Sequence, residues 1–245
     1  MAKTGEIVRY LNDLLRLAEF KDYTHNGLQV EGCPEVEHIG FAVDACAETF
    51  EQLQDCQMIV VHHGLWWPAV ECVTNEEYRR LKALLRRDIN LYVAHLPLDR
   101  HPQVGNNAQI LQKLGLEISG AFGEAGWYAE LPTPVSADSL AAKFSQVVGR
   151  PAKTWLFGPS EVQRVAVCTG NGGQKMVRLA REMAMDMYLT GESGHTLYHL
   201  AKELEVNVAF GGHYGTEVFG VQALRPYLEE AFGVTTRFVD IPTGE

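Results

Sequence analysis

The chain has 245 residues, with 21 Lys and Arg against 31 Asp and Glu and a formal charge of −10. At about 150 residues per domain this is one large domain or two small ones. Apolar residues at 46 % and charged residues at 21 % exclude disordered, collagen-like and coiled-coil chains.

The acidic balance also argues against holding nucleic acid by its backbone, which needs a concentrated basic surface. The basic cluster Arg79-Arg80, Lys82 and Arg86-Arg87 has helical spacing and reads as a solvated helix face. The five cysteines (Cys33, Cys46, Cys56, Cys72, Cys168) are odd in number and contain no C-x-x-C pair, which predicts reduced thiols in a cytosolic protein. No signal-peptide core follows Met1, and no apolar run reaches the ~18 residues of a membrane span. The expectation is a soluble, cytoplasmic chain with no membrane segment.

In chain order, periodicity predicts a helix over 5–17, a strand over 36–44 and a helix over 47–55. An apolar run at 58–64 ends in His62-His63-Gly64, followed by a helix over 76–87 and a strand over 90–95. Helix 107–114 closes this half, and a junction is expected at 123–134, where Gly123, Gly126, Pro132 and Pro134 interrupt the periodicity. The same order then recurs: helix 137–147 with Ser136 as N-cap, strand 162–170, helix 174–184, apolar run 185–192, helix 194–204, strand 208–213 and helix 218–232. His95 with Asp99 and His213 with Glu217 share one offset, H-x-x-x-D in the first half and H-x-x-x-E in the second. Strands alternating with helices suggest βαβ units with parallel or mixed sheets. The reading is an α/β fold of two similar halves, residues 1–125 and 126–245, related as an internal repeat.

In open α/β sheets ligands bind beyond the carboxyl ends of the strands. The polar residues at those ends are His62 and His63, then His95 and Asp99, then Glu192, then His213 and Glu217. Adjacent strand residues point to opposite faces, so two neighbouring imidazoles are hard to satisfy in a core; at a strand end the chain can turn and both can reach one cluster. One histidine in such a place reads as a hydrogen-bonded structural residue. Three or more with two carboxylates at equivalent ends read as metal ligands. Imidazole with carboxylate suits Zn, Fe, Ni, Mn or Co, and not an all-oxygen Ca or Mg cage. A carboxylate such as Glu217 can bridge two ions, which together make water a nucleophile near neutral pH. On these grounds alone His95 and His213 rank equally.

Asn26-Gly-Leu-Gln-Val30, Val61-His-His-Gly64, His95-Leu-Pro-Leu-Asp99, Thr190-Gly-Glu192 and Gly212-His-Tyr-Gly-Thr-Glu217, in this order, resemble the Nif-three-like family, often labelled GTP cyclohydrolase I type 2 homologues. The resemblance runs from about residue 5 to 242. It implies two similar α/β domains with a dinuclear metal site between them, and a homohexameric ring. It further implies His62 and Asp99 on one ion, His63 and His213 on the other, and Glu217 bridging, with His95 either supporting the ligands from behind or facing substrate. The ions implied are two divalent transition metals per chain, Zn, Fe, Mn or Ni. The chain departs from the family where Thr24-His25 stands before Asn26 and where Ser193-Gly194-His195 follows Glu192.

Two functions follow as expectations. One is a metal-dependent, cyclohydrolase-like hydrolase acting on a small nucleotide-like or heterocyclic molecule, with Glu192 and His95 as the catalytic proton-transfer groups. The alternative is a metal-binding regulatory or interaction protein without turnover. Trp66-Trp67 reads equally as a stacking surface or as core filler, and Gly170-Asn-Gly-Gly173 reads as a tight turn.

Overall fold

The computed structural model describes residues 1–68 and 72–245. Along the chain run β1 (Ala2–Lys3), α1 (Thr4–Leu14), β2 (Gly27–Val30), β3 (Glu35–Val36), β4 (His38–Asp44), α2 (Ala47–Gln52), β5 (Met58–His63), α3 (Asn75–Leu85), β6 (Asn90–Val93) and α4 (Leu96–Arg100). They are followed by α5 (Asn106–Lys113), β7 (Gly120–Phe122), β8 (Gly126–Ser136), α6 (Ala137–Val147), β9 (Lys153–Leu156), β10 (Glu161–Cys168) and α7 (Gly173–Glu182). Last come β11 (Met187–Thr190), α8 (His195–Glu203), β12 (Asn207–Phe210), α9 (His213–Ala223), α10 (Arg225–Phe232) and β13 (Thr235–Phe238).

The chain forms two compact units, residues 1–98 with 220–241 and residues 99–219 with 242–245. In the first, a five-stranded sheet has the order β13-β4-β5-β6-β2, with β2 alone antiparallel. Its central run Met58-Ile-Val-Val is fully buried, as expected of a parallel strand covered on both faces. Ile59, Val61, Leu91 and Val93 alternate onto the face covered by Phe50 and Leu53, near α2, and Leu84 of α3.

In the second unit a six-stranded sheet has the order β7-β8-β10-β11-β12-β9, with β10, β11 and β12 parallel. Val165, Val167, Met187, Leu189 and Ala209 face one core with Leu140 and Phe144 of α6. Ala166, Tyr188, Val208 and Phe210 face the other, with Met176 and Val177 of α7 and Leu197 of α8. Ser136 caps α6, its hydroxyl accepting the Ser139 N–H at 3.2 Å.

Three expectations need correction. The stretch at 123–134 is mostly strand β8 and not a junction. Its register against β10 shifts between Val162 and Arg164, and Pro132 and Pro134 fall in this bulge, where a proline takes no hydrogen bond from the ladder. The helix expected at 218–232 is two helices, the first beginning at His213 and the second carrying Pro226 in its opening turn. The compact units also divide the chain elsewhere than at 125/126, because β13 returns to pair with β4.

Candidate metal centre

In the first unit the carboxyl ends of β5 and β6 gather three imidazoles. β4 and β5 pair in register so that Asp44 lies beside His63, and the Asp44 carboxylate accepts from His63 Nδ1 at 2.8 Å. The Ala94 carbonyl, just past β6, accepts from Nδ1 of the fully buried His62 at 2.8 Å. Asp22 takes Nδ1 of His95 at 3.0 and 3.1 Å. A carbonyl or carboxylate can only accept, so all three rings carry their proton on Nδ1 and their lone pair on Nε2. The ring centroids lie 4.7, 5.1 and 5.7 Å apart, and the three ligand atoms fall within 4.8 Å of one another.

Asp22 anchors this arrangement. Burial works against its charge, but hydrogen bonds from His95 and Asn26 and from the Leu96 N–H outweigh that and hold its carboxyl at about 2. Asn26 completes the link by donating Nδ2–H to Asp22 at 2.8 Å and accepting the His95 N–H at 2.7 Å.

The second unit gathers carboxylates, of which Asp99 comes from α4, just after β6 in the chain. Asp99, 5 % exposed, accepts from Asn106 Nδ2 at 2.9 Å and from the Thr169 hydroxyl at 3.0 Å. Because α9 begins at His213, Glu217 lies one turn further along the helix, and the buried Glu217 brings Oε2 to 3.0 Å from His213 Nε2. Glu192, just past β11, accepts from His213 Nδ1 at 2.5 Å and from Asn171 Nδ2 at 2.7 Å. His213 thus has a carboxylate oxygen at each nitrogen, which requires either a second proton or a cation at Nε2. Burial raises the Cys168 thiol to about 12, and the charges of Asp99 and Glu217 push in the same direction.

Backbone shape serves the same arrangement. Gly170 has φ of +62°, and a Cβ there would stand 2.3 Å from Glu217 Oε1 and 3.1 Å from His213 Nε2. Only glycine fits both the conformation and the approach.

The donor set fits divalent transition metals. Four histidines have Nδ1 held by an oxygen acceptor, the second hydrogen bond that metal-ligating imidazoles need. Two buried carboxylates, Asp99 and Glu217, supply anionic oxygen that calls for a cation.

The site-forming residues predicted from sequence therefore fall into two sets. His62, His63 and His95 converge in the first unit, while Asp99 and the linked Glu192, His213 and Glu217 belong to the second. His195 opens α8 and His25 is exposed. Sequence reading did not single out Asp22 and Asp44. An aspartate does face Asn26, but from four residues upstream rather than immediately before it, and the signal for Asp44 was its place at the end of a strand preceding the one that carries His63.

Among the described residues no helix is long and apolar enough to cross a membrane. The family described as Duf34/NIF3 (NGG1p interacting factor 3) matches residues 2–244. A Pyrococcus abyssi protein called GTP cyclohydrolase 1 type 2 homolog is 45 % identical, with 98 % of each chain covered. Among solved structures, the protein ybgI, titled as of unknown function, superposes with a TM-score of 0.94 at 36 % identity, with all of both chains covered. TTHA1606 from Thermus thermophilus superposes with a TM-score of 0.92, also at 36 % identity and full coverage. The match over nearly the whole chain, together with the mixed α/β fold shared with these solved structures, places this chain in the Duf34/NIF3 family.

Proposed function

We propose that this chain is a metal-dependent hydrolase acting on a small nucleotide-like or heterocyclic molecule, with two divalent transition-metal ions (Zn, Fe, Mn or Ni) bound per chain. His62 and Asp99 would hold one ion and His63 and His213 the other, with Glu217 shared between them. The observation that carries this reading is the common anchoring of His62, His63, His95 and His213 through Nδ1, which leaves Nε2 of each as its metal- or substrate-directed atom. The name carried by the Pyrococcus relative, GTP cyclohydrolase 1 type 2 homolog, agrees with hydrolysis of a ring.

When bound, such a pair of ions supplies Lewis acidity and makes water a competent nucleophile near neutral pH. The chain's own residues would do the rest. Glu192 would accept a proton from water at a carboxylate oxygen, and His95, oriented by Asp22, would take up a proton at its Nε2 lone pair and return it to the leaving nitrogen or oxygen. The protein would work in the cytoplasm as a homohexameric ring and bind neither membrane nor nucleic acid; native mass spectrometry tests the stoichiometry.

One observation favours a second reading, a metal-binding regulatory or interaction protein without turnover. Both Glu192 oxygens are already engaged, by His213 and Asn171, as those of an orienting group would be. Glu192→Gln separates the two. Under the hydrolase reading it keeps its metal and loses about 10²-fold or more in turnover of nucleotides or cyclic amides. Turnover unchanged by Glu192→Gln removes that residue from the reaction, and no turnover by the metal-loaded wild type across that panel supports the binding reading.

A further inference from the structure

Two aromatic rings in the first unit stand beside the imidazole cluster, and neither holds a metal. The structure separates Trp66 from Trp67, which the sequence leaves equivalent. Trp66 packs against the core around Ile59 and Leu91. Trp67 turns the other way, edge-on to His95 at a centroid distance of 5.3 Å and an angle of 83°, and 6.0 Å from His63. Tyr23, 62 % exposed, also meets His95 edge-on at 5.3 Å and 73°, and lies 6.0 Å from Trp67.

These rings are held in place. The Trp67 indole N–H donates to the Gly64 carbonyl at 3.0 Å, so its polar atom is satisfied inside the chain and a ligand meets its π surface. The Tyr23 N–H donates to Asp22 Oδ1 at 2.7 Å, the same carboxylate that orients His95. The Thr24 hydroxyl donates to the Trp66 carbonyl at 2.7 Å and so ties the segment before β2 to the loop after β5. A single exposed aromatic is ordinary on a protein surface. Two rings fixed at a common distance from one anchored imidazole form a surface that a flat molecule can cover.

We infer that Tyr23 and Trp67 form a stacking platform for a planar heteroaromatic ring, which sets the edge of that ring against His95. The inference narrows the substrate class of the hydrolase reading and rests on that reading for its reaction, although not for binding. It assigns to Tyr23 and Trp67 the selection of flat, unsaturated rings over sugars and peptides. It leaves to Asp22 the positioning of Tyr23 and His95 together.

The test is calorimetric titration of metal-loaded protein with guanosine monophosphate and pterin-6-carboxylate as planar probes and ribose 5-phosphate as the control without a heteroaromatic ring. Wild type should bind at least one planar probe more than about tenfold tighter than the control, and Trp67→Leu should weaken that binding about 5- to 100-fold. Trp67→Phe, which keeps a stacking face, should recover most of it. Equal metal content in wild type and Trp67→Leu shows that the fold and the cluster are intact. Wild type that binds neither planar probe, ribose 5-phosphate that binds as tightly, or Trp67→Leu that binds like wild type overturns the platform. Trp67-dependent binding by a protein that takes up no metal upholds the platform and refutes the metal reading; two bound metals without planar-ring binding does the reverse.

Discussion

Each unit has a run of parallel strands, β13-β4-β5-β6 in the first and β10-β11-β12 in the second, but the side chains gathered in each differ in chemistry. The first unit presents three imidazoles, backed by Asp44, Asp22 and the Ala94 carbonyl. The second presents Glu192 and Glu217 on either side of one imidazole, His213, and the buried carboxylate Asp99. Nitrogen donors need an acceptor behind them to fix the tautomer, so acids in the first unit stand behind the histidines. Buried carboxylates need donors or a cation, so the second unit surrounds Asp99 with Asn106 and Thr169 and sets Glu217 against His213. Strand ends in the first unit thus present mainly nitrogen donors, and the second unit presents mainly oxygen donors.

The comparison breaks most readily in the second unit. Gly170→Ala places a methyl 2.3 Å from Glu217 Oε1 on a backbone with φ of +62°. The left-handed conformation alone costs about 1–2 kcal/mol, and the Glu217 carboxylate must swing away. Urea unfolding should show at least that loss, and metal analysis should show depletion. In the first unit Asp44→Ala removes the acceptor that fixes His63, which should lower metal affinity about 10- to 100-fold with little change in unfolding of the metal-free protein. Competition with a chelator measures it. Ser136→Ala sharpens the comparison from the opposite side. Losing the α6 cap should cost about 1 kcal/mol with metal content unchanged, because that cap lies outside the ligand set.

Asp22 gives an effect that depends on pH. Its folded-state carboxyl sits at about 2 against an ordinary 3.8, so the stability it contributes is fully present above about pH 4 and is lost as pH falls toward 2. In metal-free protein the stability gap between wild type and Asp22→Asn should shrink as pH falls from about 4 toward 2. A gap that stays level or widens over that range contradicts the anchoring role.

Much of this site is legible in the sequence because its members interrupt apolar runs. His62 and His63 end Met58-Ile-Val-Val, and His95, Glu192 and His213 follow buried strands in the same way. Their anchors are less visible. An acid in a loop is ordinary, and Asp22 becomes informative only when folding brings it to His95, 73 residues away. Asp44 declares itself only through its register with His63. Gly212 and Gly215 disguised the start of α9, so the one-turn spacing of His213 and Glu217 emerged only with the helix. Trp66 and Trp67 are adjacent and alike in sequence, and only the turn after β5 sends one to the core and the other to the imidazoles.

The most direct test is elemental analysis of protein purified without added or affinity-column metal, beside Glu217→Ala. The account predicts about two equivalents of transition metal per chain in wild type, as in two-metal sites generally, with loss of at least one in the variant. Wild type that holds no metal and takes up none on incubation with Zn, Mn, Fe or Ni would contradict it.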